Sequence, residues 1–424
     1  MARMAPVGAG WPEALGAIGS AVDVEATARS SGALRRARGV RDGASLLRLA
    51  LALALALAYG GCGLSLRQAA AWAAAQGVAD LSDVALLGRL AGAAGWLGEA
   101  AGALLAARAG PRAGEAGGRR LRLVDGTSVC HPGADRTSWR LHVAHDPEGR
   151  RLAALELTGG RGAERLSRFA WAPGDVAVAD RYYARPGELR PVLDAGADLV
   201  VRTGWNSLRL LDPDGGPLDL AAALGRAGGG APAERAVRVD ERRPDGATLG
   251  LRLVADRLPE EAAEPARRRL RRDAAKRGRT PDPRSLGAAG FVLLLTSLPA
   301  EAFPAGRVLA LYRLRWQVEL AFKRLKSLLG LGELPAKDPA LARAWLGAKL
   351  ILALLAEDQG RAVLALSPSG RGPRRLALAG HAGRPARARR RRARADAAAP
   401  LARAGGAPLA DPRRAAPTAA EPGR

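Results

Sequence analysis

The spacing of apolar positions changes along this chain and divides it into an all-helical part and a mixed part. Over residues 34–105 apolar residues recur every three to four positions, which is the spacing of one helix face. Over 120–204 they alternate or form short uninterrupted runs, which is typical of half-buried and fully buried strands. Helical spacing returns after about residue 299, and a further apolar helix is predicted at 341–356. The sequence therefore predicts an all-α N-terminal domain followed by an α/β domain.

The N-terminal part is predicted to contain three helices joined by short turns. They are expected at 46–58, 65–76 and 82–97. Ser65 and Ser82 stand directly before apolar-periodic runs, as N-cap residues do, and Gly77 follows a helix as a C-cap residue does. Two helices joined by such a short turn are typical of a helix-turn-helix unit, and an ordinary helical bundle fits the pattern equally well. Residues 1–33, which are rich in Gly and Ala, are expected to be loosely structured.

The α/β part is predicted to follow the element order of a ribonuclease-H-like fold. The predicted strands lie at 120–129, 139–145, 151–158, 175–179 and 198–202, and the predicted helices at 162–170 and 186–195. Three successive antiparallel strands, then helix, strand, helix and strand, is the order of that fold. This is an analogy of fold and does not by itself assign a function.

Two later segments do not continue this alternation. Residues 205–298 contain short strand-like pieces and a basic run, Arg267–Arg284. That run either contacts DNA phosphates or is a solvated loop, and the loop is the favoured interpretation. Residues 359–424 are low-complexity Arg, Ala, Gly and Pro without a hydrophobic period, so disorder is expected there. A frameshifted or decayed gene end would have the same composition.

A single helix predicted at 311–329 carries two stripes of side chains. It contains no Pro or Gly and is rich in Leu, Arg, Lys and Glu. Its apolar stripe consists of Leu311, Leu314, Val318, Phe322, Leu325 and Leu329. Its polar stripe, roughly 100° around the helix, consists of Tyr312, Arg315, Glu319, Lys323 and Lys326. A carboxylate among cations beside a buried seam is typical of a cleft-lining group, and a solvated face with i,i+4 ion pairs is the alternative.

Net charge and cysteine content narrow the class of protein. The formal net charge of +25 and the isoelectric point near 11.4 fit a polyanionic partner, although an Arg-rich composition also follows from a GC-rich genome. The two cysteines, Cys62 and Cys130, exclude a disulfide framework and suit a reducing cytoplasm. The apolar run at 49–59 is too short to cross a bilayer, which takes about 20 residues, and no signal peptide is recognisable. No membrane association is expected.

The polar stripe and two upstream aspartates together resemble a known family. Four residues have the spacing Y-x2-R-x3-E-x6-K, namely Tyr312, Arg315, Glu319 and Lys326. This spacing resembles the signature of the insertion-sequence-four family of bacterial DDE transposases. Asp125 in LRLVDGTS and Asp180 in VAVADRYYA follow apolar strand residues directly, as the two aspartates of that family do. The resemblance covers roughly Val22 to Ala356.

Three carboxylates are expected to form the reactive centre. Asp125 and Asp180 are expected to close the first and fourth strands, which lie side by side in this fold, so that their carboxylates can converge. Glu319, on a helix packed against that sheet, supplies the third carboxylate. Such a set suits two Mg²⁺ ions, or Mn²⁺, because these hard cations prefer oxygen ligands. A metal pair of this kind supports in-line displacement at a phosphodiester.

The resemblance also implies DNA contacts. Phosphate contacts are implied for Tyr312, Arg315 and Lys326. On weaker grounds, DNA contacts are implied for Lys323, Trp316 and Arg181. Members of the family often flip a base near the transposon end and stack it on an aromatic ring. Trp205 and Trp171 are possible platforms, and burial in the core is the alternative for each.

The family carries a β-rich insertion between its last two catalytic residues, and this chain is expected to have the same organisation. The expected segments are a loosely structured N-terminus at 1–33, a helical DNA-binding domain at 34–105, a linker at 106–119, a ribonuclease-H-like catalytic core at 120–204 and 299–358, a β-rich insertion at 205–298, and a disordered basic tail at 359–424.

The function implied is that of a transposase, active at the nucleoid in the cytoplasm. It would bind the terminal inverted repeats of an insertion sequence, pair the two ends as a homodimer, and catalyse Mg²⁺-dependent cleavage and strand transfer into target DNA. One alternative is a decayed or host-adopted DNA-binding protein or nuclease without transposition activity, and another is a non-catalytic DNA-packaging protein. A zinc site is a further alternative, formed by Cys130, His131, His142 and His145, but their spacing matches no standard zinc motif.

Overall fold

The computed structural model of the protein describes residues 11–58, 65–107 and 118–365, except 132, 135, 227–230, 333 and 335. Most of the linker expected at 106–119 lies outside the described residues. So does the tail expected from residue 359, apart from 359–365, which are helical.

Six helices precede the sheet. They are α1 (Trp11–Gly19), α2 (Val24–Ser30), α3 (Gly43–Ala58), α4 (Leu66–Ala75), α5 (Asp83–Gly92) and α6 (Ala94–Ala106). The expectation that 1–33 is loosely structured is wrong for 11–30, which form α1 and α2. These helices are short and weakly periodic, so local caps and packing define them. The carboxylate of Asp23 caps α2 by accepting the backbone N–H groups of Glu25 and Ala26.

The two N-caps predicted for this region are confirmed. Ser65 Oγ accepts the backbone N–H of Gln68 at 3.3 Å, and Gln68 Oε1 accepts the backbone N–H of Ser65 at 2.9 Å. This reciprocal pair is a capping box at the start of α4. Ser82 Oγ likewise accepts the backbone N–H of Ala85 at 3.2 Å at the start of α5. Local sequence signals therefore fixed these helix starts correctly.

Two other predicted helices are wrong in extent. The helix expected at 82–97 is two helices, α5 and α6, which meet at Ala93. Gly92 lies next to this joint, and glycine has low helix propensity, so the chain turns there at small cost. The helix expected at 162–170 is only a single 3₁₀ turn, Leu166–Arg168. The glycine-rich start of that segment disfavours a longer helix.

The strands of the described residues form one mixed sheet. They are β1 (Arg120–Val129), β2 (Trp139–Asp146), β3 (Arg151–Gly159), β4 (Asp175–Ala179), β5 (Asp198–Arg202), β6 (Leu210–Leu211), β7 (Ala233–Asp240), β8 (Thr248–Arg257) and β9 (Phe291–Thr296). Their spatial order is β3-β2-β1-β4-β5-β9-β8-β7-β6. β4 runs parallel to β1 and to β5, and the other neighbouring strands pair antiparallel. The first five strands have the order and directions expected from the sequence.

The segment 205–298 extends this same sheet, because β9 pairs with β5 and β8 pairs with β9. Its helices are α8 (Leu220–Arg226), α9 (Glu260–Ala275) and α10 (Pro283–Ala288). The interpretation of the basic run Arg267–Arg284 as a loop is wrong for its first half, which belongs to α9. Pro265 and the many charges obscured this helix in the sequence, since its buried face is narrow.

The helix expected at 311–329 is likewise divided. After α7 (Pro186–Asp194), the C-terminal helices are α11 (Ala305–Arg313), α12 (Trp316–Leu328) and α13 (Pro339–Ala365). Between α11 and α12 the backbone makes i,i+3 hydrogen bonds, including Arg315 N–H to Tyr312 O at 3.0 Å and Val318 N–H to Arg315 O at 3.1 Å. Such 3₁₀ bonding tightens the chain locally and often marks a hinge. The joint lies within the polar stripe, at Arg315.

α13 forms the centre of the helical layer and packs against α3, α5 and α6. Its helix was predicted at 341–356 and is confirmed. Residues Pro339–Gln359 are long and apolar enough to cross a membrane, but 67% of the most apolar window is buried inside the protein, as in a core helix. Gly347 permits the close approach of α6, because a Cβ atom at this position would lie only 2.9 Å from Leu97 Cβ.

Candidate active site at the carboxyl edge of the sheet

Asp125 and Asp180 occupy equivalent positions on neighbouring parallel strands. β1 and β4 pair from Arg120 with Asp175 to Leu123 with Val178, a constant offset that brings Asp125 level with Asp180. Asp180 directly follows the last residue of β4, as expected. Asp125 does not close β1, contrary to expectation, because β2 continues to pair with β1 as far as Val129. Both carboxylates therefore lie at the edge where β4 ends.

The Asp125 carboxylate is largely buried, with its side chain 18% exposed. Burial raises the pKa of Asp125 to about 6, and the nearby carboxylates of Asp180 and Glu164 add to the rise. The backbone N–H of Gly126 opposes it, donating to Asp125 Oδ1 at 2.8 Å, and so does the guanidinium of Arg315. This carboxylate is thus held in an environment that disfavours its charge unless cations are near.

Arg315 connects the sheet with α12. Its Nη1 lies 3.1 Å from Asp125 Oδ2, and its Nη2 donates to Glu319 Oε1 one helical turn further along. The Arg315 side chain is 19% exposed, whereas that of Glu319 is 58% exposed. A single guanidinium therefore bridges two of the three carboxylates predicted from the sequence.

Asp180 is oriented by the turn that follows it. Its Oδ1 accepts the backbone N–H of Tyr182 at 2.8 Å. Arg181 lies over the exposed ring of Tyr182, with 5.8 Å between its Cζ and the ring centroid. Tyr183 is fully buried, and its hydroxyl has no hydrogen-bond partner among the described residues. Burial raises the pKa of Tyr183, as do the carboxylates of Glu164, Asp125 and Asp180.

Glu164 is a fourth carboxylate at this edge that sequence reasoning missed. Its Oε1 accepts Arg140 Nη1 at 2.6 Å, and it packs so closely on Gly126 that a Cβ atom there would lie 3.0 Å from Oε1. Burial raises the pKa of Glu164, and Asp180 contributes to the rise, while Arg140 opposes it. The sequence signal that could have indicated Glu164 is Gly126, directly after Asp125, because a glycine there leaves room for the Glu164 side chain.

The remaining predicted DNA contacts lie along α11 and α12. Tyr312 is partly buried beside Arg315, and burial raises its pKa. Trp316 is 54% exposed. Lys323 and Lys326 are exposed on α12, and neither forms an ion pair with any acid that the structure describes. The structure therefore gathers Tyr312 and Arg315 at the carboxyl edge and leaves the two lysines on the outer surface of α12.

The two candidate tryptophans lie at opposite ends of the parallel strands. Trp205 follows the carboxyl end of β5, where its Nε1 donates to Ser285 Oγ at 3.0 Å and Arg284 lies over its ring. Trp171 precedes β4, and its Nε1 donates to Leu166 O at 2.9 Å. Trp205 thus shares the edge of the aspartates, whereas Trp171 does not.

The donor chemistry of this edge suits a divalent cation, because carboxylate oxygens are the ligands that hard cations prefer. The three predicted carboxylates are not gathered into one cluster: the described residues contain no group of three or more His, Cys, Asp or Glu close enough to hold a metal ion. The zinc alternative has no such group either. His142 and His145 are buried in β2, and burial lowers the pKa of each to about 4.

The sequence is similar to a known family of proteins over more than half of its length. The model of the Transposase DDE domain matches residues 116–355. The chain belongs to the DDE transposase family. It is 44% identical over 351 residues to the protein named as transposase InsL of insertion sequence element IS186A from Escherichia coli K12, covering 82% of this chain and 93% of that protein. It is 44% identical over 352 residues, with the same coverage, to the transposase of insertion sequence element IS421 from Escherichia coli.

Among solved structures, the piggyBac transposase synaptic complex with hairpin DNA is similar to this transposase at 11% identity and a TM-score of 0.35. That similarity covers 62% of this chain and 50% of the other and supports no conclusion about this one. The family match and the two insertion-sequence relatives do support a conclusion about this chain. This protein is a transposase of the bacterial insertion-sequence type, an enzyme of DNA cleavage and strand transfer that depends on divalent metal, as DDE transposases do.

Proposed function

We propose that Asp125, Asp180 and Glu319 are the catalytic carboxylates of this transposase and together bind two Mg²⁺ ions, or Mn²⁺. The observation that carries the proposal is the shared register of Asp125 and Asp180 at the end of β4. The bridge from Arg315 adds Glu319 to the same neighbourhood. When bound, such ions activate a water or a 3′-hydroxyl and stabilise the leaving oxygen of a phosphodiester.

The chain itself orients the first two carboxylates. The Gly126 N–H holds Oδ1 of Asp125, whose Oδ2 accepts from Arg315. The Tyr182 N–H holds Oδ1 of Asp180, and Oδ2 is the oxygen that would bind a cation. Glu319 joins them once Arg315 releases it. The 3₁₀ joint at Arg315 is the place where the first turn of α12 can adjust for this step.

The cations beside the carboxylates would hold the DNA backbone. Arg315, once released, offers a planar fork that suits bidentate phosphate binding. The exposed lysines Lys323 and Lys326 act as point charges further along α12. Tyr312, Trp316 and Arg181 complete the proposed DNA contacts. Of the two candidate tryptophans, Trp205 shares the edge of the aspartates and would be the one to stack a base.

The proposed organisation of the molecule follows the same argument. The core is ribonuclease-H-like over 120–204 and 299–358, and 205–298 is a β-rich insertion that continues its sheet. Helices within 34–105 would bind the terminal inverted repeats. A homodimer would pair the two ends and join them to target DNA, at the nucleoid in the cytoplasm.

The experiment is cleavage of a labelled duplex that carries the gene's own flanking ends, with Mg²⁺ present. The wild-type chain is expected to nick or cut at the ends, and the Asp180→Asn variant is expected not to. The matched control is Asp245→Asn, in the turn between β7 and β8, where the carboxylate is 56% exposed. This turn precedes the start of β8, so it lies at the opposite edge of the sheet from the aspartates. Cleavage by Asp180→Asn at the wild-type rate would contradict the proposal.

A further inference from the structure

The helix α9 carries a row of cations on the face turned away from the protein. Ala263 is the buried residue of α9, and Arg267, Leu270 and Ala274 share its side of the helix and are half-buried. At 100° per residue, Arg268, Arg272 and Lys276 point about 180° away from that packing face. All three are exposed. Successive members of the row are one turn apart, roughly 6 Å along the helix axis.

These cations differ from their neighbours on the same helix in having no acidic partner. Arg271 lies 3.1 Å from Glu264, and Arg269 lies 3.8 Å from Asp273. Arg268, Arg272 and Lys276 make no side-chain hydrogen bond or ion pair with the part of the chain that is described. Residues 260–279 contain eight cations and four acids. The paired arginines satisfy most of the acids, so the surplus charge is concentrated in the outward row.

The fold brings α9 to the same edge of the sheet as the two aspartates. β9 runs antiparallel to β5 with Arg202 opposite Leu294, so the start of β9 lies at the carboxyl end of β5. β8 pairs with β9 so that Arg257 is opposite Phe291. The connection that contains α9 therefore leaves the sheet and returns to it at this edge.

An ion pair also connects the end of β8, which leads into α9, with the end of α11 next to its joint with α12. Arg313, two residues before Arg315, lies 3.8 Å from Asp256 near the end of β8. From β1 to β8 the sheet order has four steps, or about 19 Å at the usual strand spacing. A duplex seated at the aspartates would therefore reach α9 within one helical turn of DNA, which is about 34–36 Å long.

We propose that Arg268, Arg272 and Lys276 form a track on α9 for the phosphate backbone of the duplex that flanks the cleavage position. This inference rests on the proposed function, because the aspartate edge defines where the DNA enters. The three cations of the row form no ion pair with an acid that the structure describes, and a polyphosphate backbone is the partner whose charge complements them. The contacts are to phosphates and carry no sequence information.

The test compares two double variants of α9 that remove the same charge. Arg268→Gln/Arg272→Gln removes unpaired cations from the row, and Arg269→Gln/Arg271→Gln removes the two paired arginines beside it. Binding of each full-length variant to a fluorescent duplex is measured by anisotropy over a range of salt concentrations, in chelator and without divalent cation. One duplex carries the gene's flanking ends and a second has unrelated sequence.

Log affinity falls linearly with log salt concentration, and each phosphate contact contributes about 0.9 to the steepness of that slope. The first double variant is therefore expected to have a slope that is shallower than that of wild type by about 1.8. Wild type should thus lose roughly tenfold more affinity between 50 and 200 mM salt than this variant does. The change should be equal on both duplexes, and the second double variant should keep a slope close to that of wild type. Equal slopes in the two double variants, whether both flattened or both unchanged, would overturn the proposed track.

This outcome is separable from that of the proposed chemistry. Binding in chelator does not require cleavage, and cleavage by wild type and Asp180→Asn is measured independently. Cleavage that depends on Asp180, together with equal salt slopes in the two double variants, would support the catalytic proposal and contradict the proposed phosphate track on α9. A shallower salt slope in the first double variant alone, together with no cleavage by wild type, would support α9 as a DNA contact and contradict the catalytic proposal.

Discussion

Arg315 donates to the carboxylate of Asp125 at 3.1 Å, although the two residues are 190 positions apart in sequence. The contact connects the middle of β1 with the 3₁₀ joint between α11 and α12. The same guanidinium holds Glu319, so one cation compensates two carboxylates that would otherwise repel each other across the site. A buried acid, an arginine and an exposed acid are therefore joined in one chain of ion pairs at the carboxyl edge.

Replacing Glu319 by Gln is expected to abolish end cleavage while leaving DNA affinity nearly unchanged. The change removes a proposed cation ligand and leaves Arg315, Lys323 and Lys326 in place. Cleavage is measured on end-bearing duplex with Mg²⁺, and affinity is measured by anisotropy. Glu301→Gln, an exposed acid shortly before α11, is the matched control and should cut normally. If Glu319→Gln cuts at the wild-type rate, the assignment of the third carboxylate is wrong.

Asp125→Asn is expected to stabilise the fold at neutral pH and at the same time to inactivate the enzyme. Burial raises the pKa of Asp125 to about 6, above the unfolded value of about 3.9. The folded state therefore binds the proton more tightly, and the free energy of unfolding falls as pH rises between these two values. At pH 7 the charged group destabilises the fold by on the order of 3 kcal/mol.

The measurement for this prediction is urea unfolding of wild type and Asp125→Asn without divalent cation, at about pH 5 and about pH 7.5. The gain in the variant should be larger at the higher pH. Asp194→Asn, whose carboxylate is 60% exposed, serves as the control and should give little gain at either pH. A variant that is less stable than wild type at the higher pH would show that the bridge to Arg315 outweighs the cost of burying the charge.

Divalent-cation affinity is expected to fall as the pH drops through about 6, the pKa of Asp125. A protonated carboxyl cannot bind the cation, so protons and metal compete for the same oxygens. Mn²⁺ binding followed by electron paramagnetic resonance should show this loss, with a midpoint that moves to lower pH as Mn²⁺ is increased. In Asp125→Asn the same pH range should have little effect. Unchanged Mn²⁺ affinity of the wild type from pH 7 to pH 5 would exclude Asp125 as a titrating ligand.

Gly347→Ala is expected to destabilise the packing of α6 on α13. The added methyl group would lie 2.9 Å from Leu97 Cβ and 3.1 Å from the Leu97 backbone carbon, closer than such atoms pack. Overpacking of this kind typically costs about 1–3 kcal/mol. Gly102→Ala in α6 is the matched control: it has open space around it and should be neutral or stabilising, because alanine favours the helix. Thermal unfolding of both variants would distinguish the two effects.

Local features of the fold could be predicted because their causes lie within a few residues. The capping box at Ser65, the strand runs that became β1 to β5, and the apolar stripe of α13 each depend on neighbouring positions. Errors arose where tertiary contacts decided the outcome. The 3₁₀ joint at Arg315 interrupts a sequence with good helix propensity, and α9 forms although Pro265 and many charges argue against a helix.

The sequence by itself determined the helix caps, the first five strands, the basic character of the chain and the spacing of Tyr312, Arg315, Glu319 and Lys326 that identifies the family. Only the tertiary structure decided that strands from 205–298 continue the sheet, that Glu164 lies beside Asp125, and that α9 lies at the same edge of the sheet as the aspartates. The physical reason is the separation along the chain over which each kind of interaction acts. Periodicity and capping act within one or two turns, whereas strand pairing and charge contacts join residues tens to hundreds of positions apart, and only packing brings these together.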